Sequence, residues 1–342
     1  QTTGQVDSVR QETELDKLKA ALPVVTDPVS WTEYVLSIKT AGFRSAANLT
    51  SNMNVIYSYV LFLLGRTKYR VELAKLRPLI ARWLFMSQLT ARYTGSSESQ
   101  IQKDLDRVES VPQGDAAGFE SLLDEIIGSQ LTPDFWTYNV PQQLLTSGPS
   151  LSPHYQCYLA ALNILDADMF MLNERVRDWM DPSRPAVKGT EGHHLFPRAY
   201  QEAVLGITDI KRINQAANFA PTDWSTNIAI SDKPPAEYWP ELVKSRAPNA
   251  AWLERQMYWH ALPAGWEHMD YESFLSARRS LMAQVTRDAY GRLLGGLTQP
   301  VEADFSAPER DLEPSLSELI ELELLRPGDL LDPSHPSGWS MP

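Results

Sequence analysis

The sequence predicts a mainly α-helical protein with one small α+β element. Between residues 30 and 93, and again between residues 250 and 295, apolar side chains recur at the spacing of a helix face. Residues 181–192 (DPSRPAVKGTEG) form a loop rich in proline and glycine, and the histidine doublet that follows reads as the end of a strand. Helices on both sides of one short strand-forming region therefore define the predicted fold class.

The apolar helices of the first half of the chain predict a buried core. Residues 52–65 (NMNVIYSYVLFLLG) are too apolar for a surface helix and too short to span a membrane, which predicts a core helix. Residues 68–93 predict a helix pair or a kinked helix that breaks at Pro78. Ser97 is predicted to cap the next helix, with Gln100 in the reciprocal position.

Further helices are predicted on both sides of the strand-forming region. They lie at residues 9–22, 119–131, 153–165, 250–262 and 270–295, and Asp270 provides an acidic cap for the last of them.

Three segments follow from these elements. Residues 1–150 form a helical, locally basic domain, and residues 151–297 form a second domain that carries the histidine doublet. Residues 298–342 are acidic and contain seven prolines, which predicts a largely disordered tail. Since the first residue is Gln1 rather than Met, we expect a piece of a longer chain.

Composition excludes several classes of protein. The single cysteine, Cys157, excludes a disulfide framework within the chain and a cysteine-based zinc ribbon. No apolar run reaches transmembrane length, and the first residues lack the pattern of a signal peptide. The sequence therefore predicts a cytoplasmic protein without a membrane partner.

The distribution of charge points to nucleic acid although the total does not. The formal net charge is -12, which by itself argues against a nucleic-acid partner. Between residues 36 and 97, however, there are nine basic residues and one acidic residue, Glu72. We interpret this block as a track for the DNA backbone. The predicted contacts within it are Arg66, Lys68, Arg70, Lys75 and Arg77.

One compact window contains the side chains that phosphodiester hydrolysis requires. Hydrolysis at neutral pH needs a base for water and a divalent cation that offsets charge on the phosphoryl and leaving oxygens. His193 and His194 adjoin in EGHHLFPRAY, Asn218 stands in AANFA, and Asn227 follows in STNIAISDK. Histidine is a suitable base near neutral pH, and Mg²⁺ needs only one or two protein ligands when phosphate and water supply the others.

This window resembles a known nuclease module. HHLFPRAY…INQAANFAPTDWSTNIAISDKPPAEYWPEL is similar to the HNH, or His-Me finger, region at the C-terminus of GmrSD-type modification-dependent restriction proteins, which are architecturally related to phosphorothioate-sensing proteins of the SspE type. The resemblance is specific over about residues 191–243 and looser over residues 30–295. It implies a ββα-metal finger embedded among helices.

The resemblance also implies roles for the residues of the window. His194 takes the position of the general base, and His193 and Asn227 take those of the metal ligands, with Mg²⁺ as the metal and Mn²⁺ or Ni²⁺ as possible substitutes. Asn218 matches the middle asparagine that braces the loop holding the base. Arg198 and Lys233 are predicted phosphate contacts.

Two departures from the family pattern bear on metal and substrate binding. Position 230 is isoleucine where many HNH proteins have a basic residue, and the nearest lysine is Lys233. With His193 in place of an aspartate the site has no protein carboxylate, so we expect weak metal binding without DNA.

The sequence thus predicts a metal-dependent DNA endonuclease, the effector part of a modification-dependent restriction or phage-defence protein. Its expected partner is an N-terminal nucleotide-hydrolysing domain that senses the modification, because this chain contains no P-loop pattern. Without that domain we expect weak cleavage with no sequence preference. The alternatives are a non-catalytic module that binds DNA or a protein, an RNA-directed nuclease, and a zinc site formed by the doublet with His154, His260 or His268.

Overall fold

The structure is a computed structural model that describes residues 8–146, 148–181 and 191–295. These residues form a mainly helical protein with one two-stranded sheet, which confirms the coarse fold class. The predicted acidic tail at 298–342 lies outside the described residues. No helix within the described ranges is long and apolar enough to cross a membrane.

The helices before the sheet build most of the core. They are α1 (Ser8–Val25), α2 (Pro28–Thr40), α3 (Asn52–Thr67), α4 (Leu73–Leu89), α5 (Ser97–Glu109), α6 (Ala116–Gln130), α7 (Val140–Gln143), α8 (Pro153–Ile164) and α9 (Val176–Trp179). In α3 the side chains of Leu61 and Phe62 are fully buried, so the predicted core helix is confirmed.

The sheet and the remaining helices follow. They are β1 (Glu191–His194), α10 (Arg198–Ala203), α11 (Ile210–Ile213), β2 (Phe219–Thr222), α12 (Trp224–Ile230), α13 (Pro235–Arg246), α14 (Ala250–Trp259) and α15 (Tyr271–Leu294). Asp270 caps α15 as predicted, since its carboxylate accepts a hydrogen bond from the backbone N–H of Ser273 at 3.0 Å.

Two predictions about helix boundaries need correction. Residues Leu73–Leu89 form one helix that continues through Pro78, so the helix-pair alternative was wrong; burial of Leu79, Ile80 and Trp83 outweighs the lost backbone hydrogen bond. Ser97 is the first helical residue of α5 rather than its cap, which is Ser96. A one-residue displacement of this kind is common at helix ends.

One hydrophobic core includes helices from both sides of residue 150. α15 packs against α8 and α4, and α8 packs against α4. The buried apolar residues of these helices belong to a single cluster, which includes the fully buried Cys157. The predicted division into functional domains at 1–150 and 151–297 stays a prediction, but residue 150 does not separate two cores.

Acidification should destabilise the protein through its buried histidines. Burial lowers the pKa of His154 on α8 to about 4, whereas an unfolded histidine titrates near about 6.5. Between these two pKa values only the unfolded state binds a proton at His154. Above pH 6.5 the histidine has no such effect on the free energy of unfolding, and below it the free energy of unfolding falls by about 1.4 kcal/mol per pH unit. Urea unfolding at pH 7 and pH 5 should show that wild type loses about 2 kcal/mol more than His154→Gln. Equal losses in both proteins would contradict this assignment.

Candidate functional site

The two strands and α12 form one strand–strand–helix unit. β1 and β2 are antiparallel, with His194 opposite Phe219. The Asp223 carboxylate caps α12 by accepting from the backbone N–H of Thr226 at 2.9 Å, and α12 packs against β1. The unit brings together four of the predicted site residues, which are spread over more than thirty positions of the chain. They are His193, His194, Asn218 and Asn227.

His193 and Asn227, the two predicted metal ligands, lie in direct contact. Nδ1 of His193 is 2.8 Å from Oδ1 of Asn227. His193 is 2% exposed, its ring stacks near Phe170 and meets Tyr238 edge-on, and its Nε2 has no hydrogen-bond partner among the described residues. Burial lowers the pKa of His193 to about 4, so the ring is neutral near pH 7. Because an amide oxygen only accepts, Nδ1 carries the proton in the contact with Asn227, and a cation could bind at Nδ1 only after that proton moves to Nε2.

His194 lies at the end of β1 and is half-buried. Its ring packs against Phe219, with the ring centroids 4.2 Å apart. Nε2 of His194 is 3.0 Å from Oδ1 of Asn214, a residue that the sequence analysis did not select. Burial lowers the pKa of His194 below its usual value, so the neutral form dominates near pH 7. A neutral, partly accessible imidazole has the properties of a general base.

Asn218 ties the segment after the doublet to the end of α11. Its side chain is fully buried. Oδ1 accepts from the backbone N–H of Phe196 at 2.9 Å, and Nδ2 donates to the backbone oxygens of Phe196 at 3.1 Å and Ile213 at 3.3 Å. These contacts are those of a structural brace. None of these three hydrogen bonds involves the ring of His193 or His194.

Two further residues fix the site from the surrounding helices. Tyr238 on α13 donates its hydroxyl to the backbone oxygen of Leu195 at 2.7 Å. Arg278 on α15 is fully buried, and its Nη1 donates to the backbone oxygen of Ala217 at 2.6 Å. The sequence signal for Arg278 is its position four residues after Phe274, on the buried face of an amphipathic helix.

His193 and Asn227 could offer one imidazole nitrogen and one amide oxygen to a cation, without a carboxylate. Adjacent ligands of an octahedral Mg²⁺ ion at 2.0–2.1 Å lie roughly 3.0 Å apart, and the His193–Asn227 separation is 2.8 Å. Within the described ranges no three His, Cys, Asp or Glu side chains group as a metal site. A cation at this place would take one imidazole nitrogen and one amide oxygen from the chain, and water or phosphate would have to supply its other ligands.

The zinc alternative is not supported by the other histidines. His260 is fully buried, and its Nε2 contacts the backbone oxygen of Asp168 at 3.1 Å. His268 is 70% exposed and lies 3.9 Å from Glu267. His154 is buried on α8, where desolvation alone lowers its pKa.

The basic block between residues 36 and 97 is largely paired with carboxylates from outside it. Its ion pairs are Arg66–Asp27 at 3.2 Å, Lys75–Glu120 at 3.9 Å, Arg77–Glu33 at 2.5 Å, Arg82–Asp124 at 2.7 Å and Arg92–Asp104 at 2.6 Å. Lys68 lies over the ring of Tyr69, and Arg70 is exposed. The local excess of basic residues is therefore not an equal excess of positive surface. DNA contact by Arg66, Lys68, Arg70, Lys75 and Arg77 stays a prediction.

Arg198 and Lys233 lie close to the sheet in sequence and form exposed ion pairs. Arg198 begins α10 and contacts Glu202 at 2.8 Å, and Lys233 follows α12 and contacts Glu241 at 2.8 Å. Exposed pairs of this kind contribute little to stability, so a phosphate can replace the carboxylate at low cost. Their predicted role as phosphate contacts is compatible with this arrangement and stays a prediction.

Comparison with known proteins gives one informative similarity. The chain is 24% identical over 166 residues to an uncharacterized protein of Methanocaldococcus jannaschii. The matched region covers 48% of this chain and 25% of the archaeal protein, so the chain spans about a quarter of that relative. No family model and no solved structure matches the chain. A function for this chain therefore has to be inferred from the residues around the two-stranded sheet.

Proposed function

We propose that the strand–strand–helix unit is the active site of a metal-dependent DNA endonuclease. The observation that carries the proposal is the contact of His193 with Asn227 at 2.8 Å, directly beside the half-buried His194. A candidate base and two candidate ligands thus converge from β1 and α12. The resemblance of residues 191–243 to the HNH region of GmrSD-type proteins supports the same assignment.

Each residue has a defined part in the proposed reaction. His194 takes a proton from the water that attacks phosphorus, and the bond to the 3′ oxygen breaks, which leaves a 5′-phosphate and a 3′-hydroxyl. His193 and Asn227 hold the divalent cation, Mg²⁺ or in its place Mn²⁺ or Ni²⁺, which when bound offsets charge on the phosphoryl and leaving oxygens. Arg198 and Lys233 bind neighbouring phosphates. Asn218 and Tyr238 keep the end of β1 in place.

The cellular role that we propose is restriction or phage defence in the cytoplasm. It is supported by the resemblance to GmrSD-type proteins, in which an N-terminal nucleotide-hydrolysing domain senses a DNA modification. That sensing domain is the proposed protein partner of this chain. Residues 1–342 contain no P-loop pattern, so we propose that they supply cleavage and backbone contact rather than recognition of the modification.

A supercoiled-plasmid assay tests the proposal. The chain is incubated with plasmid in Mg²⁺, in Mn²⁺ and in EDTA, and a labelled single-stranded RNA is treated in parallel. We expect conversion to open circles in both metals, none in EDTA, and little cleavage of RNA. Plasmid binding without cleavage in either metal would instead indicate a non-catalytic DNA-binding module. Cleavage of RNA alone would indicate an RNA-directed nuclease.

A further inference from the structure

The catalytic atom of a histidine base depends on the hydrogen bond that its other ring nitrogen makes. A neutral imidazole carries one proton, and the nitrogen without it is the one that can accept a proton from water. In His194, Nε2 lies 3.0 Å from Oδ1 of Asn214. With the amide oxygen facing the ring in this way, Nε2 is the nitrogen that carries the proton, and Nδ1 keeps the lone pair.

The backbone of Asn214 is held independently of its side chain. Its N–H donates to the backbone oxygen of Ile210 at 2.9 Å at the end of α11, and its carbonyl accepts from the N–H of Gly148 at 3.2 Å. Two residues later, the N–H of Ala216 donates to the backbone oxygen of Thr146 at 2.8 Å. The amide group is therefore presented to His194 by a fixed backbone.

The ring of His194 is also restrained from its other side. Phe219, its cross-strand partner, packs against the imidazole with the ring centroids 4.2 Å apart. Asn214 holds one nitrogen while Phe219 limits rotation of the ring. Nδ1 is the only ring nitrogen left for proton transfer.

We infer that Asn214 is a positioning residue that fixes the tautomer of His194 and thereby makes Nδ1 the base. The tautomer stands on geometry alone, whereas the catalytic consequence rests on the proposed nuclease function. Water gives a proton to Nδ1, its oxygen bonds to phosphorus, and the bond to the 3′ oxygen breaks. The 3′ oxygen takes a proton from solvent, and the imidazolium returns its proton to solvent. During the transfer the Asn214 oxygen stabilises the positive ring through the Nε2 proton.

Nitrogen NMR on ¹⁵N-histidine-labelled protein at pH 8 measures the tautomer directly. The His194 signals are assigned by their loss in His194→Ala. Wild type should show a protonated Nε2 and an unprotonated Nδ1, and Asn214→Ala should show a mixture of tautomers. Asn214→Asp should restore the wild-type tautomer, since a carboxylate oxygen also accepts from Nε2. The neighbouring Gln215→Ala serves as the matched control, because its side chain contacts Lys211 rather than the doublet.

Cleavage kinetics supply the second readout. Asn214→Ala should lower kcat about 10- to 100-fold, with KM within about twofold of wild type because no substrate contact is lost. Asn214→Asp should recover most of that loss, and Gln215→Ala should cut like wild type. A wild-type His194 with its proton on Nδ1, or an Asn214→Ala variant with an unchanged tautomer, would overturn the inference. If wild type has the expected tautomer but cuts nothing, the nuclease proposal fails while the tautomer assignment stands.

Discussion

His194→Ala should abolish metal-dependent plasmid cleavage, with the single-turnover rate lowered by about 10³-fold or more. The substitution removes the proposed proton acceptor, whereas His193 and Asn227 stay in contact behind it. The rate is measured in Mg²⁺ at saturating protein, and plasmid binding is measured separately. We expect binding close to that of wild type, since the loss concerns the chemical step.

His268→Ala is the matched control for that experiment. Its ring is 70% exposed and contacts Glu267 at 3.9 Å, so its removal should change neither folding nor cleavage. Thermal unfolding of both variants excludes a loss of structure as the cause of a lost activity. An His194→Ala protein that is folded and still cuts at the wild-type rate would show that the base has been assigned to the wrong residue.

Asn218→Ala should lower the free energy of unfolding by about 2–3 kcal/mol. The fully buried amide makes three hydrogen bonds, and its removal leaves the backbone N–H of Phe196 and the backbone oxygen of Ile213 without those partners. Cleavage should fall as well, because the segment that follows His194 is no longer tied to α11. Urea unfolding gives the stability change, and the plasmid assay gives the activity.

Asn227→Ala provides the contrast within the same motif. Asn227 is half-buried, and its side chain contacts His193. Its removal leaves Nδ1 of the buried His193 without that partner, so we expect the free energy of unfolding to fall by about 1–2 kcal/mol, together with a large loss of cleavage. If Asn218→Ala were as stable as wild type, the bracing role of Asn218 would be wrong.

The sequence predicts the parts of the site whose signals are local. His193 and His194 stand together, and Asn227 follows Asn218 by nine residues, so a pattern along the chain is enough to select them. The partner of His194 is different. Asn214 lies twenty residues away, directly after the short helix α11, and the antiparallel pairing of β1 and β2 brings it to the ring. No spacing rule identifies it.

The surface charge is likewise not predicted by local sequence. The basic residues of 36–97 stand out in the sequence because their acidic partners are elsewhere in the chain. Glu33 lies just before the block, and Asp124 lies on α6, yet they contact Arg77 and Arg82. A count within one window therefore overstates the positive surface, since folding joins charges across windows. The helix-pair alternative at Pro78 was wrong for a related reason, because tertiary burial of α4 outweighs a local helix-breaking preference.

The Mg²⁺ dependence of plasmid nicking by wild type and Asn227→Ala tests the central claim most directly. The claim is that His193 and Asn227 hold the divalent cation beside the His194 base. We expect no cleavage by wild type in EDTA, and a half-maximal rate in Asn227→Ala at an Mg²⁺ concentration about tenfold higher or more. Cleavage in EDTA, or the same Mg²⁺ dependence in both proteins, would contradict it.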